Sequence, residues 1–299
     1  MNWRRESIFS VAAILAMALG LHLGVRVLAA GVNSFGSIPR LVMLQQTAPG
    51  EAAGGDTNVY LTNGAVAWWS MNESSGTRSN LVRTGFDLTA NNNPSQRYGV
   101  RSTTTTNSAG FASGSSQSLS FPTTNNPAFC ASNTWCLFGW FRPTNNVTAT
   151  QVIFGRDEGS GTGQRERLLY IASSKLQFDQ FTNNAGNTAV LQGRSLTNNY
   201  WTFFYVEYNA TLNRLLMMSA VSNSTTMFLT FTNTGGLPTW GTNTVTRWGA
   251  RGYPTFEQRF NGLLDEGGYY SINFTSNEVW ALFNGGRGQH WPPNAAGTP

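Results

Sequence analysis

The chain has 299 residues, enough for one large all-β domain or two smaller ones. Charged residues make up only 11% of it, against about a quarter in an ordinary globular domain, so Asn, Thr, Ser, Gln and Gly must supply the polar surface. Ten Trp and nineteen Phe exclude a chain without a core, and the net charge of +5, nearly all Arg because Lys175 is the only lysine, contains no basic run that would suit nucleic acid.

At the amino terminus Arg4 and Arg5 precede an apolar run over residues 8–25, broken only by small residues and His22. Val27, Leu28 and Ala29 then offer small residues at signal-peptidase spacing, so residues 1–30 read as a secretory signal. The run also approaches the roughly 18–20 residues that span a bilayer, which leaves an uncleaved signal anchor open. Both readings deliver the domain outside the cytoplasm, secreted or held at a surface, with membrane contact only through this segment. Residues 31–57 have the composition of a linker or arm, with Pro39, Pro49 and a Gly/Ala-rich stretch at 50–55. Within it, residues 38–45 could form a strand of their own or lie along a neighbour's edge strand.

From Asn58 onward, short β-type runs alternate with Gly, Asn, Ser and Thr clusters, the habit of a sandwich or barrel. Strands are expected at 66–71, 119–121, 135–141 and 151–155. Residues 168–171 and 175–178 read as a hairpin across Ser173-Ser174. Residues 201–208 are apolar on both faces and pair with 214–220, and strands at 244–249 and 263–270 complete the set. The single helix follows. Thr275 and Glu278 form a capping-box signature, Val279, Leu282 and Phe283 share a helical face, and Asn284-Gly285 is a stop signal. Residues 58–288 thus form one domain, and 289–299 a Pro-flanked tail containing His290.

Four motifs in this order carry a resemblance. Ala67-Trp68-Trp69-Ser70-Met71-Asn72-Glu73 with Ser75-Gly76 resembles an opening strand followed by an acidic residue and a Ser-Gly turn. Cys136-Leu137-Phe138-Gly139-Trp140-Phe141-Arg142-Pro143 resembles an S-x-W-x-x-P strand, and Tyr200-Trp201-Thr202-Phe203-Phe204 with Tyr208 a W-x-x-V-x-x-x-Y strand. Gly262-Leu263-Leu264-Asp265-Glu266 resembles G-x-I-D-E, with Asn284-Gly285-Gly286 matching a terminal L-x-N-G-G. Together they resemble the concanavalin A-like lectin and glucanase superfamily, in its laminin-G or pentraxin-like branch. The resemblance implies an all-β, antiparallel jelly-roll β-sandwich closed by one short C-terminal helix. The chain departs from it at Gly267-Gly268, where a basic residue is usual, and at Met217–Val221, which lacks an Asn-Gly turn.

Glucanases of the superfamily carry alternating carboxylates on one strand face, as two-carboxylate hydrolysis requires. No E-x-D-x-E pattern occurs here, and the adjacent pairs Asp157-Glu158 and Asp265-Glu266 should point to opposite strand faces. A non-catalytic carbohydrate-binding or adhesion module is therefore expected, with an assembly-surface protein or a glycoside hydrolase of the same fold as rivals. Candidate glycan contacts near strand ends and loops are Arg156, Asp157, Trp240, Trp248, Arg251 and Tyr253, and the partner would be a glycan or glycoprotein surface. In resembling folds an aspartate at the Asp265 position often joins a structural Ca²⁺, with Glu73 as a neighbouring ligand; hydrogen bonding to a loop is the alternative role for Asp265. Cys130 and Cys136, six apart in an exported chain, are expected to close a small disulfide loop. Five Asn-x-Ser/Thr sites occur, at Asn72, Asn146, Asn209, Asn223 and Asn273.

Overall fold

The computed structural model describes residues 25–26, 44–47, 61–100, 107–121, 134–157, 165–181, 187–233, 245–251 and 258–289. In chain order the strands are β1 (Val25–Arg26), β2 (Leu44–Thr47), β3 (Ala65–Trp69), β4 (Thr89–Asn91), β5 (Ser95–Tyr98), β6 (Asn107–Phe111), β7 (Ser118–Phe121) and β8 (Trp135–Pro143). They continue with β9 (Gln151–Asp157), β10 (Arg165–Ala172), β11 (Lys175–Phe181), β12 (Asn187–Ser195) and β13 (Thr202–Asn209). The last are β14 (Arg214–Val221), β15 (Thr226–Asn233), β16 (Thr246–Trp248) and β17 (Gly262–Tyr270), followed by the helix α1 (Ser276–Phe283).

Two antiparallel sheets face each other, as the jelly-roll reading requires. A ten-stranded sheet runs β1-β2-β15-β14-β13-β8-β17-β6-β5, with β3 also on β17; a seven-stranded sheet runs β12-β11-β10-β9-β16-β7-β4. The hairpin across Ser173-Ser174 pairs Ala172 with Lys175, and β13 and β14 pair from Asn209 with Arg214 to Thr202 with Val221, both as expected. The arm contributes β2, which pairs with β15 of its own chain, while β1 pairs with β2 inside the stretch expected to be a signal. Most of that stretch, with its proposed cleavage point, lies outside the described residues, as does the tail from His290.

Successive side chains on a strand point to opposite faces, and the Trp68-Trp69 pair uses this directly. Trp69 faces the space between the sheets with Trp135, Phe154, Phe204, Trp248 and Tyr269. Trp68 faces the other way, into a second cluster with Phe138, Trp140, Phe203, Tyr270 and the helix residues. Helix α1 forms because its termini are satisfied. Thr275 and Glu278 complete both halves of the capping box, and Asn284 ends the helix in the left-handed region with φ +48°. It buries Val279, Trp280, Leu282 and Phe283, each contributing about 1.5–3 kcal/mol if fully removed from water. Phe283 stacks on Trp140 with centroids 5.5 Å apart. The outer face of the ten-stranded sheet is thereby closed.

Strand β17 holds the arrangement together. One edge pairs with β8; the other pairs with β6 over Gly262–Leu264 and with β3 over Gly267–Tyr270. A bulge separates the two halves, with one extra residue between Asp265 and Gly268 and Glu266 at φ +43°. The Gly267-Gly268 departure now has a physical cause. A Cβ at Gly267 would lie 2.9 Å from the Trp248 ring, and one at Gly268 would strike the Phe138 ring on the opposite side. Aromatic rings close on the bulge from both faces, leaving no room for a side chain. Gly268→Ala should therefore cost about 1–3 kcal/mol by overpacking. Gly114→Ala, with nothing within 4 Å of its Cβ position, should stay within about 0.5 kcal/mol of wild type; urea midpoints compare the two.

Candidate functional site

With one sheet face covered by α1, the outward face of the seven-stranded sheet is the place to look for a ligand surface. Leu169, Ile171, Leu176, Phe178 and Leu191 point into the inter-sheet core. Their alternates Tyr170, Gln177, Asp179, Val190 and Gln192 therefore point outward. The register sets Tyr170 opposite Gln177 and Gln177 opposite Gln192, with Asp179 opposite Val190. The Tyr170 hydroxyl lies 3.0 Å from each Asp179 carboxylate oxygen and 3.0 Å from Gln177 Oε1, so one phenolic proton serves three acceptors. Burial, then the Asp179 charge and its hydrogen bond, push the Tyr170 pKa well up, so the group stays a donor.

Beneath Tyr170 lie the buried apolar side chains of Val152 and Leu168. Tyr170, Lys175 and Gln177 are half-buried, Gln192 is exposed, and Arg247 is half-buried on β16 opposite Gly155. The face thus combines an aromatic ring, amides, a carboxylate and a cation over an apolar floor. Such a set can stack on a sugar ring and hydrogen-bond its hydroxyls. Among the described side chains of β9–β12, Asp179 is the one carboxylate, so the two-carboxylate arrangement of glycoside hydrolysis is not present in that set.

The residues expected to bind ligand are placed differently. Arg156 and Trp248 are interior, each 1% exposed. Trp248 pairs with Phe154 across β16 and β9 and packs on its ring at 5.0 Å and on Trp69 at 6.0 Å, so it cannot stack on a sugar. Arg156 lies opposite Thr246, on the same inward side of the sheet. Arg251 is half-buried beyond β16, Asp157 ends β9 opposite Arg165 with only its backbone described, and Trp240 and Tyr253 lie outside the described residues. What sequence reasoning missed was the outward half of a hairpin it had located. The signal was there in the alternation Leu169-Tyr170-Ile171 against Leu176-Gln177-Phe178-Asp179.

The carboxylates near β17 also depart from expectation. Asp265 and Glu266 do not diverge, because the bulge turns both toward the α1 side. Asp265 stands opposite Trp140 and accepts from Val100 N–H through Oδ2 at 2.7 Å; Glu266 Oε2 accepts from the Trp68 indole at 2.7 Å. Both are almost fully buried. Glu73 is not their neighbour in a ligand set. Its Oε1 accepts from Ser79 N–H at 2.6 Å and its Oε2 is 3.9 Å from Arg78 Nε, so a cation already faces it and it does not fit a metal ligand. Asn72 comes closer in role, since its Oδ1 accepts from Asn107 N–H at 2.8 Å. A Cβ at Gly99 would lie 2.5 Å from Asp265 Oδ2 and 2.9 Å from the Asn107 carbonyl oxygen, so these two hard oxygens lie close together against the Gly99 backbone. Among the described residues no three His, Cys, Asp or Glu side chains group together.

Cys136 is a free, fully buried thiol in the cluster under α1, and the bridge expected with Cys130 is not formed; Cys130 itself lies outside the described residues. Burial, reinforced by the Glu207 charge, pushes the thiol pKa well up. Glu207 joins a buried chain of contacts. The Tyr205 hydroxyl donates to its Oε2 at 2.6 Å and accepts from Phe274 N–H at 2.9 Å, while Arg214 donates to Oε1 at 2.9 Å. Asn273 donates its amide to the Trp135 and Tyr208 carbonyls, which commits that glycosylation motif to structure.

A laminin-G-type family model of the concanavalin A-like lectin/glucanases superfamily matches residues 113–280, more than half of the chain. The chain belongs to this superfamily. Its fold is similar to the binding domain of botulinum neurotoxin DC in complex with SialylT, at TM-score 0.55 and 11% identity over 76% of this chain and 52% of that one. It is similar also to the binding domain of Paraclostridial Mosquitocidal Protein 1, at TM-score 0.57 and 12% identity over 75% of this chain and 52% of that one. A third likeness is to the neurotoxin DC binding domain in complex with rat synaptotagmin II, at TM-score 0.55 and 10% identity over 78% and 55%. The chain spans about half the length of these structures, and at such identity the likeness is one of fold. No curated protein matches the sequence.

Two stability measurements probe these contacts. Asp265→Ala strands the buried Val100 N–H and should cost about 1–3 kcal/mol, with Asp265→Asn recovering part of it in thermal melts. Glu207 has its pKa raised above the ordinary 4.5, first by burial, so its contribution to stability is full below that value and lost as pH rises through the folded pKa. Glu207→Gln should accordingly gain on wild type as denaturation is repeated from pH 4 upward; a constant difference across that range would show that the carboxylate does not titrate as described.

Proposed function

We propose that the chain is a non-catalytic carbohydrate-binding or adhesion module that acts outside the cytoplasm, secreted or tethered by its N-terminal segment, with a glycan or glycoprotein surface as partner. The observation that carries this reading is the outward Tyr170, Gln177 and Asp179 set on the seven-stranded sheet, where a ring and three polar groups sit over Val152 and Leu168. Membership of a lectin/glucanase superfamily supports a sugar ligand. Likeness in fold to binding domains, one of them in complex with SialylT, supports binding over turnover.

A structural calcium ion is part of the proposal. Asp265 and the Asn107 carbonyl supply hard oxygens beside Asn72, where an ion would tie the loop after β5 to the bulge of β17. It would serve the fold and leave the sugar face untouched.

A glycan array probed with the full chain, with and without EDTA, tests both parts. Tyr170→Ala and Gln177→Ala should each weaken binding about tenfold, equivalent to ~1.4 kcal/mol, with melting temperature nearly unchanged. An array blank in both conditions would sink the lectin reading, and hydrolysis of β-glucan or xylan would replace it with an enzyme. EDTA should lower the melting temperature of wild type, and added Ca²⁺ should restore it; a melt indifferent to EDTA removes calcium.

A further inference from the structure

The side of the sandwich formed by β15 and β12 carries two strand edges. Strand β15 would be the outermost strand of the ten-stranded sheet if the arm were absent, and β12 ends the seven-stranded sheet beside it. The β15 sequence TMFLTFTN contains no charge, Gly or Pro; Met227, Thr230 and Thr232 are buried, and Phe228, Leu229 and Phe231 are half-buried. A long, uncharged edge of this kind pairs with any extended segment that reaches it. The arm covers only part of it. Leu44–Thr47 of β2 pair with Thr226–Leu229, and among the described residues Thr230–Asn233 has no strand on that side. On the adjoining β12, Val190 is 42% exposed.

The covalent link to the arm is long for the task. Residues 48–60 separate β2 from Leu61, whose carbonyl is fixed by the Tyr270 hydroxyl of β17 at 2.6 Å. Strand β17 lies four strands from β15 in the sheet order, roughly 19 Å at ~4.8 Å per strand. The link can extend to roughly 45 Å at ~3.3 Å per residue, more than twice that separation. The same arm therefore reaches the β15 edge of a copy lying alongside.

We infer that β2 is an exchangeable strand, and that the β15 edge is a self-association surface which takes residues 44–47 of a second copy. Exchange keeps the four-residue ladder and its register and changes only which chain supplies it. Reciprocal exchange closes a two-fold dimer. Since the covalent link holds the arm at an effective concentration on the order of mM, the chain's own arm occupies the edge in dilute solution, and a neighbour's arm competes where copies are crowded. This association is independent of the sugar face.

The register pairs Gln45 with Phe228 and Gln46 with Met227, which allows a direct test. Full-length chains carrying Cys130→Ser and either Gln45→Cys or Phe228→Cys are incubated together and mildly oxidised at ~10 μM, far below the expected effective concentration, and at ~1 mM, close to it. A disulfide-linked dimer should form in the mixture, at least about tenfold more at the higher concentration, and not in either variant alone. The chain with both substitutions should close its bridge within one chain when dilute. A bridge within the doubly substituted chain but no linked dimer in the mixture overturns the inference. So does the absence of any bridge there and in the Gln46→Cys, Met227→Cys pair, since the arm would then not occupy β15 at all.

Discussion

The three-way pairing of β17 is the constraint on which the remaining structure depends. One nine-residue strand must carry β8 on one edge and divide the other between β6 and β3, and the bulge at Glu266 is what lets it do so. The extra residue breaks the alternation of side chains, and the chemistry of the stretch follows from that break. Two adjacent carboxylates come to the same side, where an indole N–H and a backbone N–H receive them, and two glycines fill the points where rings press on the backbone from both faces. Buried charge of this kind is tolerated only where donors meet it. Asp265 and Glu266 are therefore elements of the fold's closure and poor candidates for catalysis.

That closure also decides which surface is left for a ligand. Because β17 delivers the chain directly through Phe274 into the capped helix, α1 packs on the outer face of the ten-stranded sheet, where Trp140, Phe203 and Phe283 form one aromatic cluster. Among the described residues no α-helix covers the outward face of the seven-stranded sheet. The Tyr205, Glu207 and Arg214 chain fixes the turn before the helix from beneath, through the Phe274 N–H, so the helix is held at its start by a hydrogen bond as well as by its own cap.

Much of the fold was legible because its central strands are apolar on both faces or joined by short turns. Strands β8 and β13 announced themselves by unbroken runs such as Phe203-Phe204-Tyr205-Val206, and the capping box gave the helix to the residue. The edge strands were harder. Strand β12, at a sheet edge with Gly193 and exposed polar residues, buries one side only and reads as loop. Strand β6, though buried on both faces between β17 and β5, is short and made largely of Asn, Ser, Ala and Gly. The site was less legible than the fold for a related reason. Exposed aromatics near strand ends look like ligand contacts in a sequence, but whether Trp248 or Tyr170 faces outward depends on a register that only the sheet order defines. Adjacent carboxylates look divergent until a bulge, which leaves no mark beyond a Gly-Gly pair, turns them together. The disulfide expected from Cys spacing failed because Cys136 belongs to the middle of an aromatic cluster, where a thiol packs as a small apolar group.

Net charge is the last quantity that the structure reinterprets. Arg78, Arg156 and Arg167 are 0%, 1% and 2% exposed, but Asp179, Glu207, Asp265 and Glu266 are buried too, so burial takes in more negative than positive charge and the excess of +5 stays on the surface. Arg167 lies 3.8 Å from the Trp135 ring centroid and donates to the Tyr269 hydroxyl at 3.0 Å, which makes it a cross-sheet tie between β10 and β17. Among the described residues, the charged side chains left outside the core are mostly cationic, with Lys175 and Arg247 on the outward face of the seven-stranded sheet. That charge is spread along the chain with no basic run, so its field is diffuse and screened by salt.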